Sequence, residues 1–276
     1  MAVHAHPDDE ATSTGGILAR YGQEGIRTVL VTCTDGGCGD GPGGIKPDDP
    51  AFDREAVVAI RRRELQRSCE LLGVHHFESL EYPDSGMMGW PQNDHPGSFW
   101  STPVEVAAAR LAALMERYQP QVVVTYNADG FYGHPDHIQA HRITMAAAAA
   151  TGIPEKVYFT AVRRSDMAEL GRRMAEMGVS FEEETGTGDG EGEASPGPRD
   201  EWGTPDHEVT TFVDVMDFAD VKFDALLAHA SQTDNLFFIR MGRQTFGQIM
   251  GSESFVRAID RTNAPVPEDD LFAGLR

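Results

Sequence analysis

Basic side chains are scarce in this chain of 276 residues: 23 Lys and Arg stand against 44 Asp and Glu, a formal net charge of −21. Nucleic-acid affinity depends on clustered Lys and Arg, so this balance argues against a polyanionic partner. It also disfavours an anionic membrane surface, whereas a neutral sugar is not repelled. Cysteine is nearly absent. Cys33, Cys38 and Cys69 are odd in number and form no disulfide framework, and the first two are too widely spaced for a Cys-x-x-Cys redox motif. All three read as free thiols. No run approaches the roughly 18 apolar residues of a membrane span. No basic and apolar leader opens the chain, so the expected compartment is the cytoplasm. The Gly- and Pro-rich stretch from Thr34 to Pro50 is not a P-loop, because no Gly-Lys-Ser/Thr follows its glycines.

What is present is a 40% hydrophobic content, enough for a real core, patterned as strands alternating with helices. Arg27 to Cys33 is an almost continuous apolar and β-branched run, the mark of a strand buried on both faces. Helices are expected over Glu10 to Gly25, Phe52 to Leu72 with Gly73 as its cap, Val104 to Tyr118, Pro135 to Ala150, Ser165 to Met177 and Val215 to His229. Strands are expected over Met1 to Ala5, His76 to Tyr82, Gln121 to Tyr126, Lys156 to Val162 and Glu208 to Val213, the last at an edge. The class is therefore α/β: a doubly wound, mostly parallel, Rossmann-like sheet with helices on both faces and a small C-terminal cap, in one domain over 1–276. Residues 181–202 are acidic and rich in Gly, Ser and Pro, which reads as a flexible insert. The loop from Asp84 to about Thr102 carries Trp90, Phe99 and Trp100, suited either to a sugar-stacking wall or to packing the loop on the body. Met1 to Ala5 is short for a central strand, which usually runs about five or six residues, and this suggests a natural start a few codons upstream.

Two tetrads organise the chemistry: His6-Pro7-Asp8-Asp9 and His134-Pro135-Asp136-His137. Each follows an apolar run and leads into a helix, and Pro suits the first turn of a helix. In an open parallel sheet, residues beyond the C-terminal ends of neighbouring strands converge in a crevice, so distant segments can share one ion. A catalytic zinc site takes three protein ligands and keeps one position open. His6, Asp9 and His137 supply that set. A bound zinc lowers the pKa of its water from 15.7 to about 7. Asp8, beside the metal but not a ligand, is the candidate general base, although it also suits a helix cap. His134, three residues before His137, is the second candidate for handling a proton. His4 reads as packed behind His6 on the same strand face.

At these residues the chain resembles the PIG-L/LmbE-like family of zinc-dependent N-deacetylases, which includes N-acetylglucosaminyl-inositol deacetylases and mycothiol-conjugate amidases. The likeness rests on Ala5-His6-Pro7-Asp8-Asp9-Glu10 and Gly133-His134-Pro135-Asp136-His137. It extends through Thr34-Asp35-Gly36, Arg61-Arg62-Arg63-Glu64, Asp84-Ser85-Gly86-Met87, Ala228-His229-Ala230 and Leu271-Phe272-Ala273-Gly274-Leu275. It implies that His134 stabilises the oxyanion or protonates the leaving amine, with Asp136 setting its charge state, and that Tyr132 polarises the substrate carbonyl. It further implies that Arg61 and Asp84 bind sugar or inositol hydroxyls, with Met87 a contact near them.

The expected activity is hydrolytic removal of acetyl from an N-acetylglucosamine-type small molecule, by metal-activated water with an Asp base. A larger amide such as a mycothiol S-conjugate is the alternative substrate. Zn2+ is the expected ion, with another divalent ion such as Fe2+ open, and a homo-oligomer is also open. Two His and a carboxylate also describe the non-haem Fe(II) triad, but that fold is usually an all-β barrel. An inactive sugar-binding module would lack the base or a ligand, and every expected site residue is present.

Overall fold

The computed structural model describes residues 1–176 and 203–276. The expected insert at 181–202 lies outside them. The frame is a seven-stranded sheet of order β3-β2-β1-β4-β5-β7-β6. Its strands are β1 (Ala2–His4), β2 (Val29–Thr34), β3 (His76–Tyr82), β4 (Val122–Thr125), β5 (Lys156–Ala161), β6 (Thr211–Asp214) and β7 (Ser252–Asp260). β1 to β5 pair in parallel, and β7 lies antiparallel between β5 and β6. The sequence reading left 252–260 within a C-terminal cap. The segment is instead a sheet strand, paired from Lys156↔Asp260 to Ala161↔Ser254.

The helices are α1 (Asp9–Ser13), α2 (Gly15–Gln23), α3 (Arg54–Leu72), α4 (Val104–Tyr118), the single turn α5 (Gly130–Gly133), α6 (Pro135–Thr151), α7 (Arg164–Glu176) and α8 (Ala219–Ala228), with two shorter helices between α8 and β7. Local signals explain most of their ends. The Asp53 side chain accepts from the Ala56 amide at the start of α3, and Gly73, at φ 64°, stops it. The single helix expected over Glu10 to Gly25 is two helices broken at Thr14. The Thr14 hydroxyl pairs with His4 Nε2 at 2.8 Å, and the Glu253 carboxylate accepts the amides of Gly16 and Ile17, so α2 starts afresh on a cap supplied from β7.

One core lies under α4 and α6, where Leu111, Met115, Ile143 and Ala147 meet Val3, Val31 and Val123. A second lies under α2, α3 and α8, where Leu18, Leu65, Leu72, Phe223 and Leu226 meet Ala2 and Leu30, and a third gathers Ile17, Tyr21, Val124, Tyr158 and Phe255. Helices thus cover both faces. In the loop after β3, Phe99 is fully buried and stacks on Tyr82, and Trp100 packs under Arg142, so these rings fasten the loop to the body while Trp90 is exposed. The chain leaves β1 toward β2 and β3 on one side and returns to β4 on the other. The switch point therefore lies between β1 and β4, where a crevice opens at the strand C-termini.

Candidate active site

The segments entering that crevice are the ones that follow β1 and β4. His6 Nδ1 lies 3.3 Å from Asp9 Oδ2 and 3.3 Å from His137 Nε2, and His137 Nε2 lies 3.4 Å from Asp9 Oδ1. Donors around one tetrahedral centre are separated by about 1.6 times the bond length, or roughly 3.3–3.4 Å for zinc bonds of ~2.0–2.1 Å. The two ring nitrogens keep that spacing with each other and each keeps it with a different oxygen of Asp9, and the buried His6, His134 and His137, like the buried His6, Asp84 and Asp136, also bring donor atoms within 4.8 Å of one another.

Tautomers are fixed from behind. His137 Nδ1 faces the Gly130 carbonyl at 3.2 Å, which can only accept, so the proton sits on Nδ1 and the Nε2 lone pair faces the site. Gly130, at φ 67°, cannot be replaced without strain, since a Cβ there would meet His137 Cβ at 2.9 Å. His6 Nε2 likewise donates to Asp136 Oδ2 at 3.3 Å, which turns Nδ1 toward the site, where a bound cation would take the place of its proton. Burial lowers the His6 pKa, but the carboxylates of Asp84, Asp136 and Asp9 outweigh it and raise the ring well above its usual range. The centre is rich in negative charge, as a cation site must be.

Asp8 stands beside this triangle. Burial drives its carboxyl up, against the pull of the Arg61 guanidinium, to about 6. Arg61 forms an ion pair with Asp8 Oδ2 at 3.1 Å and donates to the Pro7 carbonyl and to the Gly36 carbonyl at 2.8 Å. The expectation that Arg61 greets substrate is thereby modified: it is only 4% exposed and engaged with the segment that carries Asp8. Asp84 is also buried. It accepts from the Cys38 and Gly86 amides and lies 3.8 Å from His6 Nε2.

His134 caps α6, its Nδ1 accepting from the Asp136 amide at 3.1 Å, so Nε2 carries the proton. Its ring lies 4.9 Å from that of His137 and offers a nitrogen within 4.8 Å of the His6 and His137 donors. The expected pairing of the Asp136 carboxylate with His134 is corrected. Position N2 of α6 turns that carboxylate to His6 and to the Ser85 amide at 2.9 Å, and only the backbone of Asp136 holds His134. Burial and the neighbouring His6 and His137 rings hold His134 well below the usual imidazole range. Tyr132 and Met87 are exposed, with the Tyr132 ring 5.1 Å from that of His137. His4 is buried, as expected of a packed ring.

One participant was missed by sequence reasoning. Tyr126, just past β4, donates to Asp9 Oδ2 at 2.6 Å, accepts from the Ala5 amide at 2.9 Å and stacks on His137 at 4.2 Å. A polar-tipped ring at the C-terminal end of a strand beside the switch point was the available signal.

The family model described as PIG-L, GlcNAc-PI de-N-acetylase, matches residues 1–148. The chain is a member of the PIG-L family. Among its relatives, the 1D-myo-inositol 2-acetamido-2-deoxy-alpha-D-glucopyranoside deacetylase of Acidothermus cellulolyticus is 38% identical over 288 residues, covering 100% of this chain and 94% of the relative. The enzyme of the same description from Thermobifida fusca is 43% identical over 249 residues, covering 84% and 82%. Among solved structures, the N,N'-diacetylchitobiose deacetylase of Pyrococcus horikoshii superposes with a TM-score of 0.57 at 20% identity, covering 93% of this chain and 82% of that one. A 4-carboxy-2-hydroxymuconate hydratase from Pseudomonas putida also reaches 0.57, at 18% identity and 96% and 97% coverage. A hydratase and a deacetylase share this PIG-L fold, so the choice of reaction rests on the site and the sequence relatives.

Proposed function

We propose that the protein is a zinc-dependent N-deacetylase that hydrolyses the acetamide of an N-acetylglucosamine unit, with the inositol glycoside named in its relatives as the first candidate substrate. The observation that carries the reading is the His6, Asp9 and His137 triangle with Asp8 beside it. A divalent ion held by those three residues supplies Lewis acidity toward water and an acyl carbonyl. The protein's own groups divide the rest. Asp8, held by Arg61, takes the proton from the attacking water. His134, neutral with its proton on Nε2, donates a hydrogen bond toward the oxyanion, and Asp8 passes the proton taken from water on to the departing amine. Exposed Tyr132, its ring 5.1 Å from that of His137, and exposed Met87 are the groups assigned to meet the acetamide and the sugar, with buried Asp84 and Arg61.

The test pairs metal analysis with amine release from N-acetylglucosamine and its inositol conjugate. About one zinc per chain and release of amine are expected. Asp9→Ala should lose the metal, whereas Asp8→Ala should keep it and lose kcat by roughly 10²–10⁴-fold. An Asp8→Ala variant working at the wild-type rate would remove the base assignment. Metal without amine release would move the substrate to a larger amide.

A further inference from the structure

Asp8 has a backbone φ of 111° and ψ of −28°, a region that non-glycine residues seldom occupy. Such a conformation persists only where the surroundings dictate it. The surroundings here are specific. The Asp8 amide donates to Glu10 Oε2 at 3.0 Å. Glu10 is fully buried, and its other oxygen accepts from the Ser68 hydroxyl and from His229 Nε2 at 2.7 Å. His229 is also fully buried and arrives 219 residues later in the chain, just past the end of α8. The following residues fasten the loop on the other side: Ser231 bonds Glu64 through both amide and hydroxyl, and Gln232 and Thr233 bond Asp40. None of Glu10, Ser68 and His229 is within the metal triangle, and none is needed for solubility at such depth.

We propose that Glu10 and His229 are positioning residues: their buried hydrogen-bonded pair holds the Asp8 backbone in its strained conformation and so aims the Asp8 carboxylate at the reacting water. The inference rests on the assignment of Asp8 as base. His229 lies beyond residues 1–148, so the segment after α8 belongs to the working site although the family model stops before it. Burying a charged carboxylate among exactly the donors it needs is costly to disturb by even one atom, because a donor placed where an acceptor stood leaves a buried N–H unpaired.

Glu10→Gln is the decisive variant, since it conserves shape but must turn an amide NH2 either toward the Asp8 N–H or toward Ser68 and His229. It should bind one zinc per chain, hold KM within about twofold and lose kcat by roughly 10–100-fold, the scale of a misplaced reacting group. Combined with Asp8→Ala it should cause no further loss, because the two act through one carboxylate. His229→Gln, which keeps an N–H for Glu10, should retain more kcat than His229→Ala. Unchanged kcat in Glu10→Gln would overturn the proposal, and so would an equal fold-loss in the wild-type and Asp8→Ala backgrounds. If Glu10→Gln fails to fold, the His229 pair decides alone: equal kcat in both variants overturns it. A fully active Asp8→Ala would overturn the base assignment first and this proposal with it.

Discussion

At the scale of single residues, the site depends on groups standing one shell behind the donors. Tyr126 is the sharpest case, because one hydroxyl satisfies the buried Ala5 amide and holds an oxygen of Asp9. Tyr126→Phe deletes these two bonds and the 3.2 Å contact with His4 Nδ1, and leaves the ring in place. Partners of metal ligands are commonly worth 10–100-fold in affinity. Competition against a fluorescent chelator should therefore show zinc affinity reduced by roughly that factor, and equal affinity would mean that Asp9 is held by other contacts. The His-Pro-Asp tetrads were legible as the source of the proposed ligands. Tyr126 was not, because its role depends on two positions 117 apart in sequence folding back to one point. The direction of the Asp136 carboxylate was equally hidden: sequence proximity pointed to His134, and the geometry of a helix N-terminus turned it to His6.

At the scale of elements, periodicity and caps located the parallel strands and the long helices. α3 ends at Gly73 and α4 spans Val104–Tyr118 as the pattern predicts. Local pattern fails where a distant side chain does the capping. Glu253, on β7, accepts from the Gly16 and Ile17 amides and from Lys222 Nζ at 2.6 Å, and Lys222 is fully buried. Nothing near Gly15 announces this cap, so one helix was expected where two stand. Replacing Glu253 by Gln leaves the Lys222 charge buried without its counter-charge, a defect that typically costs about 3–5 kcal/mol. Urea unfolding of Glu253→Gln should show a loss of that order, with much of it recovered when Lys222→Met is added. A loss below about 1 kcal/mol would show that buried Lys222 does not depend on the Glu253 charge.

At the scale of the whole molecule, the charge surplus becomes a property of substrate choice. The family model is described by a phosphate-bearing glycolipid, and the sequence relatives by a neutral inositol glycoside. This chain carries 44 acidic against 23 basic residues. The basic groups nearest the crevice are already paired: Arg61 with Asp8, and Arg54 with both oxygens of Asp35 at 2.8 and 2.7 Å. A phosphate on the aglycone would approach a molecule of net charge −21. Electrostatic steering changes association rates by roughly 10–10³-fold, with either sign, and fades as the screening length shortens from ~30 Å at 0.01 M salt to ~8 Å at 0.15 M. At low salt, kcat/KM for the neutral inositol glycoside should exceed that for its phosphorylated analogue by about tenfold or more, mainly through KM. The ratio should shrink steadily as potassium chloride is added. A preference for the neutral substrate that ignores salt would assign the discrimination to contacts with groups such as Tyr132 and Met87, and reversal of the preference would mean that a local cationic pocket outweighs the field of the whole chain.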